Sequence, residues 1–342
     1  MSSLPTNSIP PGIGVRLAGV GSAVPDKVLT NADLEKLMDT SDEWIVQRTG
    51  IRERRIHEPE KGLTASHYGA EAMKAAMADA GTSIDDIDLL VVATMTPEMP
   101  TPSVSSLVAD KLGAGPIGAF DICAGCCGFV FSLNVAHDLV KTGRYKNVAV
   151  IGTDCLTKFA DYSTYGRSTA ILFGDAAGGV ILQATNNPNQ GLIAQAMHSD
   201  GGRAKHLYIP CAKPDFFDQK DYDQRKLGVV QMNGPAVFKF AVSTFPDLIE
   251  ETLDKAGLKA EDVDHFVCHQ SNARILSAAR ERFGLPEDKL LVNIDRYGNT
   301  VAASVPLVLD ELKKGGRIEE GQKVMFLAFG AGLTWGSSLW QL

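Results

Sequence analysis

Ala80-Gly81-Thr82-Ser83-Ile84-Asp85-Asp86-Ile87-Asp88-Leu89-Leu90-Val91-Val92-Ala93 returns later in the chain as Ala256-Gly257-Leu258-Lys259-Ala260-Glu261-Asp262-Val263-Asp264-His265-Phe266-Val267-Cys268-His269. The offset is 176 positions (264 minus 88), and Asn147-Val148 matches Lys323-Val324 at the same offset (324 minus 148). Each copy passes from a helix-ending Ala-Gly through an acidic turn into a short apolar run, the pattern of helix, turn and strand. Two related halves that alternate strands and helices imply a duplicated α/β architecture, with too few copies for a solenoid. The join is expected near Thr185 to Gln190, where Asn186-Asn187-Pro188-Asn189-Gln190 marks a turn. This divides the chain into an N-terminal tail (1–13), a first half (14–185) and a second half (186–342). Ligands of parallel sheets gather at the strands' C-terminal ends, and His269 closes the second-half strand whose counterpart ends in Ala93.

With 342 residues, 44% hydrophobic and 22% charged, the chain is long enough for a substantial core. A net charge of −8 argues against a nucleic-acid binder, since phosphate contacts need basic surface. No apolar run reaches the roughly twenty residues of a membrane span, and Met1 to Pro11 lacks the pattern of a secretory signal. Six scattered cysteines then read as reduced thiols of a cytoplasmic protein.

The chemistry centres on Ala119-Phe120-Asp121-Ile122-Cys123-Ala124-Gly125-Cys126-Cys127-Gly128-Phe129. A strand-like run reaches Asp121, Gly125 permits a tight turn, and an almost wholly apolar helix follows through Leu133, Ala136 and Val140. A thiol where a strand becomes a helix faces unsatisfied N–H groups that favour thiolate, one route to a nucleophile. The plainer reading is three small hydrophobic core cysteines. Cys123 and Cys126 also form a C-x-x-C, which leaves a redox dithiol open, while the absence of a second such pair argues against a closed zinc site.

Two polar candidates accompany the thiol. His269 ends a strand, although a lone His is most often structural; Asn299, in Gly298-Asn299-Thr300, precedes a small-residue helix start, although Asn after Gly is ordinarily a turn residue. The closing Phe329-Gly330-Ala331-Gly332-Leu333-Thr334-Trp335-Gly336 lets backbone approach a ligand and offers N–H groups to an oxyanion, or is simply a hairpin.

From Gly14 to Leu342 the chain resembles the β-ketoacyl-acyl-carrier-protein synthase III family, initiating condensing enzymes of the thiolase-fold superfamily. The resemblance rests on Thr40-Ser41-Asp42-Glu43-Trp44-Ile45-Val46-Gln47-Arg48-Thr49-Gly50-Ile51-Arg52, the Cys126 turn, Phe173-Gly174-Asp175-Ala176-Ala177-Gly178, His269-Gln270-x-Asn272-x-Arg274, Gly298-Asn299-Thr300 and the terminal glycine-rich run. It implies two duplicated βαβαβαββ halves packed as a five-layer αβαβα sandwich. The catalytic set it implies is Cys126, His269 and Asn299, with the backbone N–H groups of Cys126 and Ala331 as oxyanion donors. Ala331 stands where the family usually has Gly.

The same resemblance implies coenzyme A contacts at Trp44, Arg48, Arg167 and Asn272, and an acyl pocket at Thr101 and Phe173. Lys239 and Arg274 would receive an acidic carrier protein. Thr101 replaces a bulky aromatic of acetyl-specific members, which suggests room for a longer primer. The substrates implied are an acyl-CoA and malonyl-acyl-carrier protein, with no metal or other cofactor and a homodimeric assembly. Gly201 to Val229 reads as an irregular insertion near the pocket mouth. A related enzyme that starts a polyketide or moves an acyl group to oxygen or nitrogen would use the same three residues. Thiolases use a second catalytic Cys near the C-terminus, where this chain has none after Cys268, and elongating synthases use two His where this chain has His and Asn.

Overall fold

The computed structural model describes residues 12–217 and 226–342, so all but the last two residues of the expected tail lie outside the described residues. The first half opens with β1 (Gly14–Ala23), then β2 (Val28–Thr30), α1 (Asn31–Glu35), α2 (Asp42–Thr49) and β3 (Glu53–Arg55). It continues through α3 (Ala65–Ala80), β4 (Leu89–Ala93), α4 (Val104–Lys111), β5 (Gly118–Ile122), α5 (Gly128–Lys141), β6 (Asn147–Cys155), α6 (Arg167–Ala170) and β7 (Asp175–Thr185). The rest comprises β8 (Gly191–Ser199), β9 (Leu207–Tyr208), β10 (Gln231–Met232), α7 (Gly234–Ala256), β11 (His265–Cys268) and α8 (Ala273–Phe283). Last come α9 (Ile294–Tyr297), α10 (Ser304–Lys314), β12 (Lys323–Gly330) and β13 (Thr334–Gln341).

The internal repeat is written into the hydrogen bonds. Asp88 N–H donates to Asn147 O (2.9 Å) and its carboxylate accepts from Asn147 N–H; Asp264 N–H donates to Lys323 O (2.9 Å) and its carboxylate accepts from Lys323 N–H. Leu89 pairs with Val148 in the parallel β4–β6 ladder, and His265 with Val324 in the parallel β11–β12 ladder. In both copies the Asp two residues before that Asp, Asp86 or Asp262, accepts from the backbone N–H three residues earlier and stops the short turn before the strand.

The two sheets run β1-β7-β6-β4-β5 and β11-β12-β13-β8. Between them lie α5 and α10, whose Phe129, Leu133, Val305 and Leu309 share one core with Val91 and Val150 of the first sheet and Phe326 of the second. On the outer faces, Met73 and Val108 of α3 and α4 pack against Leu90 and Ile151, and Phe245 and Leu276 of α7 and α8 pack against Met325 and Leu327. Val91 faces one helix layer and Leu90 and Val92 the other, so strands buried on both faces read as unbroken apolar runs. The result is helix, sheet, helix, sheet, helix: the five-layer α/β sandwich of the thiolase fold.

The second half departs from the five-strand pattern of the first. Where β5 would have its counterpart, no strand forms among the described residues. The Gln270 amide takes over instead: its Nε2 donates to Cys268 O (3.0 Å) and Leu291 O (3.2 Å), and its Oε1 accepts from Asn293 N–H (3.1 Å). One side chain thus satisfies backbone groups that a ladder would otherwise pair.

Candidate active site

Cys126 belongs to a single 3₁₀ turn, Gly125–Cys127, that leads from β5 into α5. Gly125 holds φ at +53°, a conformation that side chains resist. A Cβ added at Gly330 would lie 2.8 Å from Cys126 Cβ, so only glycine lets the end of β12 abut the nucleophile turn. The helix N-terminus does not leave Cys126 as a thiolate. Burial, then the neighbouring Cys127 and Asp154, push its thiol well above the ordinary cysteine range against the pull of its own backbone N–H, so the resting residue carries its proton. Cys127 is also buried and is pushed up to about 12, while Cys123 is exposed.

His269 follows β11, fixed by its N–H donating to Leu327 O (2.8 Å). Its Nδ1 lies 2.6 Å from Ser304 Oγ, and its ring meets Phe329 edge-on, with centroids 5.7 Å apart. Burial holds the imidazole down at about 3, so it is neutral near neutrality. Asn299 is stitched between Leu172 and Gly174: its N–H donates to Leu172 O (2.8 Å) and its O accepts from Gly174 N–H (3.0 Å). Val301 N–H donates to Asn299 Oδ1 (2.9 Å), which leaves the Nδ2 end of the amide for the cavity. That turn is strained: Val301, a β-branched residue, has φ +55° and is the one non-glycine with positive φ among the described residues. Ala331 therefore has a negative φ, so its backbone does not call for glycine.

Cys126, His269 and Asn299 line one cavity of about 710 Å³ together with Phe173, Phe329 and Gly330. Trp44, Arg48, Arg167, Asn272 and Arg274 line the outer part of the same cavity. Arg48 and Arg167 place their guanidinium carbons 4.6 and 5.2 Å from the Trp44 ring centre, so in this state Arg167 lies on the indole itself. Asn272 caps α8 through Oδ1, and its Nδ2 donates to Arg48 O (3.0 Å), tying the end of α2 to the start of α8. Arg274 rests over Phe238 at 5.1 Å, and Lys239 is exposed on α7.

Behind Cys126 a smaller apolar chamber of about 20 Å³ is walled by Met95, Leu156, Phe173, Leu207, Ile209 and Val230. Thr101 is exposed and lines neither of these cavities within the one chain. The chamber walls come from segments of weak sequence signal, among them β9 and Ile209 within the expected insertion and Val230 just after it. Part of that insertion, 218–225, lies outside the described residues.

Two buried carboxylates, Asp154 and the Asp175 of the Phe173–Gly178 motif, brace the site, and the sequence assigns a role to neither. Asp154 Oδ1 accepts from Met95 N–H (2.9 Å) and the hydroxyls of Thr94 and Thr96, while Oδ2 accepts from Ala302 N–H (3.1 Å). It clamps the Asn299–Ser304 turn to the ends of β4 and β6. Asp175 accepts from His57 N–H, Thr157 N–H, Thr157 Oγ1 and the His57 ring, fixing the backbone beside chamber residues Leu156 and Phe173. With His57 and Cys155 it forms the one set of three possible metal donors among the described residues, all within 4.8 Å of one another. A metal there would compete with four hydrogen bonds for the same carboxylate.

A thiol, a neutral imidazole and a carboxamide at the floor of a tunnel between two mixed-sheet halves define a thiolase-fold acyltransferase with a cysteine nucleophile. The chain matches the family described as 3-Oxoacyl-[acyl-carrier-protein (ACP)] synthase III over residues 120–201, and that family's C-terminal part over residues 253–342. It is 43% identical over 327 residues to a Beta-ketoacyl-[acyl-carrier-protein] synthase III of Caldanaerobacter subterraneus subsp. tengcongensis, covering 96% of this chain and 97% of that one. The crystal structure of 3-oxoacyl-[acyl-carrier-protein] synthase III from Aquifex aeolicus superposes with a TM-score of 0.87 at 39% identity, covering 96% and 100% of the two chains. A priming β-ketosynthase of a polyketide pathway superposes as well (TM-score 0.88, 98% and 99% coverage) at a lower identity of 34%. The chain belongs to the β-ketoacyl-[acyl-carrier-protein] synthase III family, and its reaction type is that of a condensing enzyme.

Proposed function

We propose that the protein joins an acyl-CoA primer to malonyl-acyl-carrier protein, with loss of carbon dioxide, to give 3-oxoacyl-acyl-carrier protein, with Cys126, His269 and Asn299 as the catalytic residues. The observation that carries this is the meeting of those three side chains in one cavity that also reaches Trp44 and a small apolar chamber. Sγ of Cys126 attacks the primer thioester; the thiol proton leaves with coenzyme A as its C–S bond breaks, and the acyl group stays on the enzyme. The N–H groups of Cys126 and Ala331 are assigned to the oxyanion of that step. Malonyl thioester then enters and loses carbon dioxide. His269 Nε2–H and Asn299 Nδ2–H donate to the thioester oxygen as it becomes an enolate; the enolate carbon attacks the acyl carbon, the bond to Cys126 Sγ breaks as the 3-oxoacyl thioester forms, and the released thiolate takes up a proton from solvent.

The rest of the reading follows the same cavity. Adenine of coenzyme A stacks on Trp44 once Arg167 swings off the indole to the base's other face, with Arg48 and Asn272 beside the phosphates and pantetheine. Phe173 and the chamber take the acyl group. A chamber of about 20 Å³ has room for little more than one water-sized group, which favours acetyl as the primer. Lys239 and Arg274 at the mouth meet the acidic carrier protein. The halves 14–185 and 186–342 are read as two copies of one ancestral unit. β5, an edge strand with exposed Phe120, pairs with its copy in a homodimer, and six free cysteines suit a reducing cytoplasm.

The test is a reconstituted reaction with acetyl-CoA and malonyl-acyl-carrier protein. Carbon dioxide and 3-oxobutanoyl-carrier protein are expected in equal amounts. Acyl transfer without carbon dioxide release would instead mark a transferase to another acceptor.

A further inference from the structure

Hydrogen-bond donation from His269 to an enolate requires that the ring's one proton be on Nε2, and nothing in the imidazole alone decides this. The decision falls to whatever touches Nδ1. Among the described residues the hydrogen-bonding partner of Nδ1 is Ser304 Oγ at 2.6 Å, with both residues buried. That hydroxyl has two possible acceptors, Nδ1 and Val301 O at 2.9 Å. Val301 O already accepts the Ser304 backbone N–H, and Gln270 N–H points at Ser304 Oγ from 3.4 Å, filling one of its lone pairs. The hydroxyl proton is therefore free to turn to the ring.

We propose that Ser304 is a positioning residue: its hydroxyl donates to Nδ1 of His269 and so keeps the ring proton on Nε2, aimed into the cavity. This rests on the role given to His269 above. Ser304 is the first residue of α10 and lies in the same turn as Asn299. One turn then supplies one oxyanion donor directly and sets the other through a hydroxyl. Removing the hydroxyl takes away the donor that keeps Nδ1 unprotonated, lets the proton move to Nδ1 and turns Nε2 into an acceptor facing an anion.

The test combines ¹⁵N NMR of the His269 ring with the two half-reactions. The wild-type enzyme should show the directly bonded proton on Nε2, and Ser304→Ala should show it on Nδ1. Ser304→Ala should still form the acyl-enzyme from acetyl-CoA while malonyl decarboxylation falls about 10²- to 10³-fold, the usual effect of losing one oxyanion donor. Ser304→Thr, which keeps the hydroxyl, should restore the Nε2–H signal and most of the decarboxylation. A wild-type ring protonated on Nδ1 overturns the proposal, and that spectrum needs no variant to fold. Decarboxylation that survives in Ser304→Ala but is lost in His269→Ala defeats the role of Ser304 alone. Survival in His269→Ala defeats the catalytic reading itself.

Discussion

The floor and the mouth of the cavity are built by opposite means. At the floor, Cys126, His269 and Asn299 are each at most 6% exposed: His269 is held by Leu327 and Ser304, Asn299 by the backbone of Leu172 and Gly174, and Cys126 abuts Gly330. At the mouth, Trp44 is half-buried and Arg48 and Arg274 are exposed; cation–π contacts hold the arginines, and long side chains stay free to rearrange. Rigid groups suit a transition state, whose charge must be met without reorganisation, and mobile groups suit substrates that arrive and leave. Substitutions at the floor should therefore act on the rate of a chemical step, and substitutions at the mouth on apparent affinity.

The sharpest break of this contrast is the loss of a floor donor. His269→Ala and Asn299→Ala should each slow malonyl decarboxylation about 10²- to 10³-fold in stopped assays while acylation by acetyl-CoA continues. The clamp beneath the floor comes next. Asp154→Asn turns an NH₂ group toward Ala302 N–H, two donors facing each other in a dry interior, and should cost about 1–3 kcal/mol in urea unfolding and loosen the Asn299 turn. Unchanged stability would mean that the carboxylate is dispensable. At the mouth, Trp44→Ala should raise KM for acetyl-CoA about tenfold with kcat nearly kept, since stacking a base on an aromatic contributes about 1–3 kcal/mol. An equal fall in kcat would place Trp44 in the chemistry and erase the contrast.

The smallest expected effect is none. The folded-state value of the His269 ring lies at about 3, below its ordinary 6.5, so lowering the pH from about 8 to 5 leaves the ring uncharged. Its ¹⁵N shifts should be flat across that range. The sign also fixes a contribution to stability: the native state disfavours the charged ring, so stability is lost as the pH falls below the unfolded value toward the folded one.

Much of this arrangement was legible in the chain. The repeat around Asp88 and Asp264 survives as matched hydrogen bonds because a strand buried on both faces and entered through an acidic turn leaves a local, periodic trace. The floor residues were legible as motifs at strand ends. What escaped depends on contacts that sequence spacing does not encode. The missing fifth strand is replaced by one amide, Gln270, reaching across to 291–293. The Cys126 thiol is raised because its burial outweighs the helix terminus that favours its thiolate, and burial is a property of the whole fold. The chamber wall brings together Met95, Leu156, Phe173, Leu207, Ile209 and Val230 from five separate segments, a gathering that no local pattern announces. Asp154 and Ser304 are single polar residues in apolar runs, and only their partners distinguish them from ordinary core polar groups.

The central claim is that Cys126 carries the primer, and intact-mass measurement with peptide mapping after incubation with acetyl-CoA tests it most directly. One acetyl group should appear on the peptide containing Cys126 and should be absent from Cys126→Ser, with Cys123 and Cys127 unmodified. An adduct on another cysteine, or a disulfide between Cys123 and Cys126 in place of any acyl-enzyme, would contradict it.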